Sequence, residues 1–532
     1  MTVTDLTLLP IQASFRPGQS LGIEIRGEVP AEGTVSVWRL GELVHSQHLH
    51  PGDVQLLPEL ASGCYGIELE HAGGTVRTAV EVTADPCSRL RYGFVASYEP
   101  GKDVQSVVDL ARRLHLNGIQ FYDWAYRHAD LLGGGEQYDD ALGQRITLDT
   151  VRELVRALRG AGAASYGYAA VYAVGPEEWP QWRQHALLRP DGEPYALGDF
   201  LFILDPAAPA WLEHFTEDLR ASVERVGFDG FHLDQYGYPK HAATPDGAVL
   251  DVADSFVRLV EAVRGRLPES RLIFNNVNDF PTWDTGSAPQ NAVYIEPWKP
   301  VLTLDALADV AQRARSVAGG KPVVLAAYQH VYDHSPAEAA DRATALTMAT
   351  LLSHGATQLL VGEHGRLLVD PYYVRNHEAE PDTLEFLARW YDFAVEHDEL
   401  LLAPGVVDVT ASYVGDYNDD LDVAYQDAVV SETAVAGSVW RRVVRADDSL
   451  VVHLINLVGQ QDTLWDAPRL APAAVGDGEL RFRFVRGRRP RVRVADPDGS
   501  ARLVEVPVRI DGNHAVATLP PLHIWQVVHV AL

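Results

Sequence analysis

The chain has 532 residues, with 44 Lys and Arg against 73 Asp and Glu and a formal net charge of −29. Such a length exceeds one hydrophobic core and predicts two to four domains, while 47% hydrophobic and 22% charged residues describe a globular chain and exclude a disordered one. So acidic a protein repels phosphate backbones and anionic headgroups, which speaks against nucleic-acid and membrane partners and leaves a neutral ligand such as a sugar open.

The opening MTVTDLTLLP lacks the basic stretch and apolar core of a secretory leader, and no apolar run reaches the ~18 residues of a membrane span. The chain as written is expected to be cytoplasmic, or secreted if a leader has been removed. Residues 1–88 show short alternating segments (SLGIEIRGEV, GTVSVWRL, CYGIELEH) between Gly, Pro and Asp turn signals, the pattern of a small β-sandwich. Cys64 and Cys87 have no Cys/His partners at zinc spacing, so a structural zinc is unsupported, and one local disulfide stays open.

From about 89 to 400, short apolar strands alternate with amphipathic helices, as in RYGFVASY, DVQSVVDLARRLHL, GIQFYDW and TLDTVRELVRALRGAG. Eight strand candidates with intervening helices predict a central (β/α)8 TIM barrel, with a doubly wound open sheet as runner-up. Residues 401–532 return to alternating strands, among them SLVVHLINLV, ELRFRFV and PRVRVAD, and predict a second β-sandwich. The expected fold class is therefore multidomain, α/β and all-β, with the barrel flanked by two sandwiches.

A barrel places its chemistry at the C-terminal ends of its strands. Polar or aromatic residues directly after apolar strand cores are Tyr122, Asp123 and Trp124 after GIQF; Asp234 after GFHL; Asn275 and Asn276 after LIF; Glu296 after NAVYI; and Gly362, Glu363 and His364 after TQLLV. Asp234 and Glu296 form the leading pair, because glycosidic cleavage needs one carboxyl group to protonate the leaving oxygen and another to attack the sugar or activate water. Their sequence separation decides neither retention nor inversion. Trp124, Tyr172, Tyr236 and Trp298 are candidate platforms for sugar rings, against the alternative of rim packing. His128 is read as a hydrogen-bonding partner of sugar hydroxyls or a structural residue, Arg127 as an ion-pair residue, and Glu363 as a hydroxyl binder or a loop anchor. Gly133 to Gly135 signal a loop without the Lys-Ser/Thr of a phosphate site.

The segments FYDWAYRH, GFDGFHLDQYG, NAVYIEPW and LLVGEHGRLL together resemble glycoside hydrolase family 66, the dextranases and cycloisomaltooligosaccharide glucanotransferases, from about Arg91 to Trp465. The resemblance implies an immunoglobulin-like N-terminal domain, a catalytic (β/α)8 barrel and a C-terminal Greek-key sandwich. It implies retaining action on α-1,6-glucosidic links, with Asp234 as nucleophile and Glu296 as acid/base. Asp123, Trp124, His128 and Glu363 would line the subsite of the attacked sugar, and no metal or other cofactor is needed. No sugar-binding insertion is evident in the later barrel and no export signal at the start, so hydrolysis of dextran or isomaltooligosaccharides is expected ahead of cyclisation. A transglycosylase using the same site is the alternative, and a noncatalytic carbohydrate-binding protein the reading from another class.

Overall fold

The computed structural model describes residues 6–415, 417–418, 420–484 and 489–531. The first five residues, read above with the leader question and the N-terminal sandwich, lie outside the described residues, as do 416, 419, 485–488 and 532 of the C-terminal one.

The N-terminal region folds into a three-stranded sheet (Thr7–Pro10, Leu21–Arg26, Val54–Leu57) and a four-stranded one (Gly33–Arg39, Glu42–His48, Gly63–His71, Gly74–Val82). Alternation explains their pairing: Leu21, Ile23 and Ile25 from LGIEIR, and Val35, Val37, Ile67 and Leu69 from the other sheet, fill a common core. Cys64 and Cys87 are both buried free thiols, so the disulfide left open by the sequence does not form.

The central sheet takes its parallel strands in chain order. They are β1 (Tyr92–Val95), β2 (Gly118–Phe121), β3 (Ala164–Ala170), β4 (Gly230–Asp234), β5 (Arg271–Val277), β6 (Ala292–Glu296), β7 (Val323–Leu325) and the short β8 (Thr357–Gln358) and β9 (Val361–Gly362). β8 bonds to β7 through Thr357 opposite Val324, and Leu359 N–H donates to Leu325 O at 2.9 Å. Three residues on, Gly362 of β9 pairs with Phe94 of β1. The run 357–362 thus touches both the seventh strand and the first, and the sheet curls onto itself. Two antiparallel strands, Arg366–Leu367 and His377–Glu378, extend it to eleven.

Helices α1 (Val104–Arg113), α2 (Leu148–Gly160), α3 (Pro209–Val226), α4 (Val252–Arg266), α5 (Leu304–Val317) and α6 (Ala337–Ser353) lie between the strands, and α7 (Pro381–Glu396) follows them. Helix α2 buries Leu148, Val151, Leu154, Val155 and Leu158, one apolar stripe at helical spacing. Asp103 caps α1 by accepting from Ser106 N–H, and Gly227 ends α3 in the left-handed conformation at φ 94°. Among the described residues no helix is long and apolar enough to cross a membrane.

The C-terminal region again has two sheets. Val439–Ala446, Ser449–Asn456, Trp525–Ala531 and Arg491–Ala495 form the heart of one, and Leu421–Tyr425, Gly478–Arg483, His514–Leu519 and Val508–Asp511 form the other. Val443, Val452, Val494 and Val528 meet Val423, Leu480, Phe482 and Ala517 in a core of their own.

Candidate active site

Side chains alternate along a strand, so one face of the curled sheet collects every second residue. Gln120 and Tyr122, His232 and Asp234, Asn275 and Val277, and Glu296 all follow that period from β2, β4, β5 and β6, and all line one cavity of about 260 Å3. That volume falls just below the ~300–1,000 Å3 usual for small-molecule clefts. Leu142, Phe200 and Tyr372 join the lining from loops, and Leu197 from the short strand Ala196–Leu197.

At the floor, Asn275 stands on β5 between the two strands that end in carboxylates. Its Nδ2 donates to Asp234 Oδ1 at 2.7 Å and to Glu296 Oε2 at 2.9 Å. Those two oxygens are therefore no farther apart than the two bonds laid end to end, 5.6 Å. The fork of an amide NH2 brings them to about 5 Å. Each carboxyl also takes a phenol: Tyr168 donates to Asp234 Oδ2 at 2.8 Å and Tyr328 to Glu296 Oε1 at 2.8 Å. No arginine or lysine neutralises either one in these contacts, so their charge is stabilised by neutral dipoles alone.

Electrostatics separates the pair. Burial pushes the Asp234 carboxyl up to about 6, while hydrogen bonds from Asn275, Tyr168 and the Gln235 backbone hold it down against that. Burial and then the Asp234 charge push Glu296 up to about 7, opposed by Asn275, Tyr328 and Trp298. Of the two, Glu296 keeps its proton to higher pH. Asp123 also faces the cavity, from a left-handed turn at φ 41° just past β2. Burial, Asp140 and Asp234 raise it to about 8, so it is a neutral donor near pH 7. His128 lines the same cavity and burial, with Arg127 beside it, depresses its imidazole to about 4, so it too is neutral.

Of the residues singled out from the sequence, Asp234, Glu296, Asp123, His128, Tyr236, Asn275 and Trp298 line the cavity. Trp124, Tyr172, Asn276 and Glu363 lie behind its wall. Asn276 is one residue off the period and points away, accepting from Thr285 Oγ1 and donating to Phe274 O and Tyr294 O. Trp124 is fully buried, packs on Phe228 at 4.8 Å between ring centres and donates Nε1–H to Tyr168 O at 3.1 Å. Tyr172 is sealed as well; its hydroxyl donates to Tyr238 O at 2.7 Å and accepts from Tyr236 N–H at 2.9 Å, fixing the loop that carries Tyr236. Glu363 accepts from Ala96 N–H at 3.0 Å and pairs with Lys102, contacts that tie its loop to the end of β1. Arg127 lies over the Tyr126 ring at 4.2 Å and donates to Tyr126 O and Asp139 O, with Glu177 only at 4.0 Å.

Tyr168 and Tyr328, the phenols on the two carboxyl groups, were not singled out from the sequence. Tyr328 directly follows PVVLAA, so the strand-end criterion applied to the other five places would have found it. Tyr168 lies inside β3, in the ASYGYAA run whose tyrosines alternate at period two.

The family model described as glycosyl hydrolase family 66 matches residues 58–529. A cycloisomaltooligosaccharide glucanotransferase of Niallia circulans is 26% identical over 295 residues, 49% of this chain and 30% of that protein. A dextranase of Streptococcus salivarius is 23% identical over 450 residues, 72% of this chain and 54% of that protein. The chain thus spans between 30% and 54% of the length of these relatives. Among solved structures, the cycloisomaltooligosaccharide glucanotransferase of a Paenibacillus species, complexed with cycloisomaltoheptaose, superposes with a TM-score of 0.87 at 17% identity, covering 98% of this chain and 99% of that one. An acarbose-bound α-amylase of Geobacillus thermoleovorans gives 0.53 at 12% identity, covering 84% and 98%.

Proposed function

Because this chain belongs to glycosyl hydrolase family 66, we propose that it is a retaining glycoside hydrolase cleaving α-1,6-glucosidic links of dextran or isomaltooligosaccharides, with Asp234 as nucleophile and Glu296 as acid/base. The observation that carries the proposal is the single amide bridging both carboxyl groups. A separation of at most 5.6 Å between the bridged oxygens supports the ~5–5.5 Å spacing of retaining enzymes over the ~6.5–9.5 Å that inverting ones need for a water. The dextranase and glucanotransferase relatives support the α-1,6 linkage. The sequential pairing of β1 to β8, with β9 returning to β1, supports a (β/α)8 barrel over residues 89–400. On this reading residues 1–88 form an immunoglobulin-like sandwich and 401–532 a Greek-key one.

In the first step Asp234, ionised and held by Tyr168 and Asn275, attacks the anomeric carbon while protonated Glu296 gives its proton to the departing glycosidic oxygen. A β-glucosyl ester forms on Asp234 and the α-link breaks. Esterification removes the Asp234 charge, which lowers the pKa of Glu296 and fits it to act as base on water in the second step. Water then opens the ester, and the product leaves with its original anomeric configuration.

The assignment is tested by product analysis on a size series of isomaltooligosaccharides, with NMR of the first-formed anomer. Release of short α-configured isomaltooligosaccharides is expected; β-configured products sink the retaining reading, and no turnover of either dextran or its oligomers sinks the substrate class. A second reading is favoured by the glucanotransferase relatives: the same ester passed to a sugar hydroxyl. Cyclic or elongated products at high substrate would identify it.

A further inference from the structure

We infer that segment 463–466, reaching over from the C-terminal sheets, positions the general acid, and that Asp466 is the residue through which it does so. The inference rests on reading Glu296 as acid/base.

Between strands Ser449–Asn456 and Gly478–Arg483 the chain leaves the C-terminal core and lies across the loops that follow β6 and β7. Leu304 N–H donates to Thr463 O at 2.8 Å, and Leu464 bridges to Thr303. Trp465, nearly sealed from solvent, grips the first loop twice: its backbone N–H donates to Leu302 O at 3.2 Å and its indole Nε1–H to Val301 O at 3.0 Å. That loop turns back from Val301 N–H to Trp298 O at 2.9 Å, so it carries Trp298 at the cavity. Asp466 grips the second loop. One of its oxygens accepts from Val331 N–H at 2.9 Å and the other meets His330 Nδ1 at 3.0 Å. The bond to Asp466 lifts the His330 imidazole above its ordinary value, over the opposing effect of burial. Two residues before His330 stands Tyr328, the phenol on Glu296.

Trp298 and Tyr328 stand 5.6 Å apart between ring centres, and both favour the ionised form of Glu296. Each is on a loop held by one of two consecutive residues. Arg469 secures the segment from behind, donating to Asp462 O at 3.0 Å and, from its backbone, to Ala339 O at 3.1 Å. Contacts that fix the loops of both side chains beside one carboxyl set the aim of its proton and its acidity. Asp466 is thus a positioning residue: it touches neither the cleft nor the reacting atoms.

The test compares two substrates with the same isomaltooligosaccharide donor, one leaving as a sugar and one as nitrophenolate, which departs without a proton. Asp466→Ala is expected to lower kcat on the sugar-leaving substrate about 10-fold, a fraction of the ~10²–10⁴ that a general acid supplies. KM should change little and the nitrophenyl substrate lose less than 3-fold. With Tyr328 loosened, ionised Glu296 is favoured less, so the alkaline limb of kcat/KM moves up in pH. Asp466→Asn, which keeps an acceptor for Val331 N–H, should recover most of the loss. Equal losses on both substrates with an unmoved limb overturn the inference. If Asp466→Ala does not fold, Trp465→Phe, which deletes the bond to Val301 O and keeps an aromatic ring in place, is judged by the same two readouts. Glu296→Gln is run beside them: without leaving-group dependence there, the acid assignment itself falls, whereas dependence there and none in Asp466→Ala removes only this inference.

Discussion

Burial lifts carboxyl groups in two places in this molecule, and the contrast shows what marks a site. At the seam between α7 and the N-terminal sheets, burial pushes Glu396 up to about 7, and with the neighbouring Glu81 charge it raises Asp398 as well. In the cleft Asp234 and Glu296 are lifted by the same cause. A raised pKa therefore does not distinguish them. Company does: Glu396 pairs with Arg77, Asp398 with Arg89 and Glu81 with Arg91, in a packed joint. The cleft carboxyls face phenols and an amide at the floor of an open cavity. Arginine locks a buried carboxylate into structure, whereas neutral donors leave its proton free to move. Titration at the seam should therefore act on stability and titration in the cleft on rate.

The hardest break of that contrast is removal of the cleft carboxylates. Asp234→Asn is expected to lower kcat by about 10⁴-fold or more, and Glu296→Gln by about 10²–10⁴-fold, with thermal unfolding unchanged or, in Asp234→Asn, shifted upward because a buried charge has gone. Activity assays beside calorimetry check both. Replacing Asp234 by Gly should be rescued by azide with a product of inverted configuration, which assigns the nucleophile.

A smaller effect sharpens the view that neutral donors tune the pair. kcat/KM against pH should be a narrow bell, rising as Asp234 ionises near 6 and falling as Glu296 loses its proton near 7; the two limbs belong to the pair as a whole. Tyr168→Phe removes a hydrogen bond that lowers the Asp234 pKa, so the acid limb should move to higher pH and kcat fall about 10-fold, equivalent to ~1.4 kcal/mol. An acid limb that stays in place would separate Tyr168 from the nucleophile.

The smallest expected effect lies at the seam. A carboxyl whose folded pKa is raised binds its proton more tightly when folded, so its contribution to stability is present below the unfolded value near 4.3 and is lost as pH rises through about 7. Glu396→Gln should gain on the wild type between pH 5 and 8 by on the order of 1 kcal/mol, with kcat unchanged. Denaturant midpoints at the two pH values, with a parallel rate assay, test it; a changed kcat would join what the comparison keeps apart.

Much of this was legible in the residues. Four short motifs pointed to the family whose model matches 58–529. Looking just past apolar strand cores led to Asp234, Asn275 and Glu296, because a strand that must bury its middle shows polar residues only where it emerges. The same criterion failed one residue later, at Asn276, since period two reverses the face at every step. Beyond strand ends it lost force. Trp124 and Tyr172 sit in turns whose direction depends on contacts with Phe228 and Tyr238, far off in sequence, and Glu363 was drawn to Lys102 on a different strand–helix unit. Phe200 and Tyr372 reach the cavity on long connections whose reach no local pattern encodes. The grip of Trp465 and Asp466 on the loops after β6 and β7 is likewise invisible in sequence, since it joins positions more than 130 apart.

The Asn275 amide has a last consequence. In the proposed cycle the cleft floor holds one negative charge throughout, on Asp234 in the free enzyme and on Glu296 once the ester has formed. The two hydrogens of Nδ2 point one at each oxygen, so whichever carboxyl is the anion already has its donor waiting. On that reading the floor has no need to rearrange between half-reactions. The charge changes ends of a fixed fork, and the second barrier meets an environment as ready as the first.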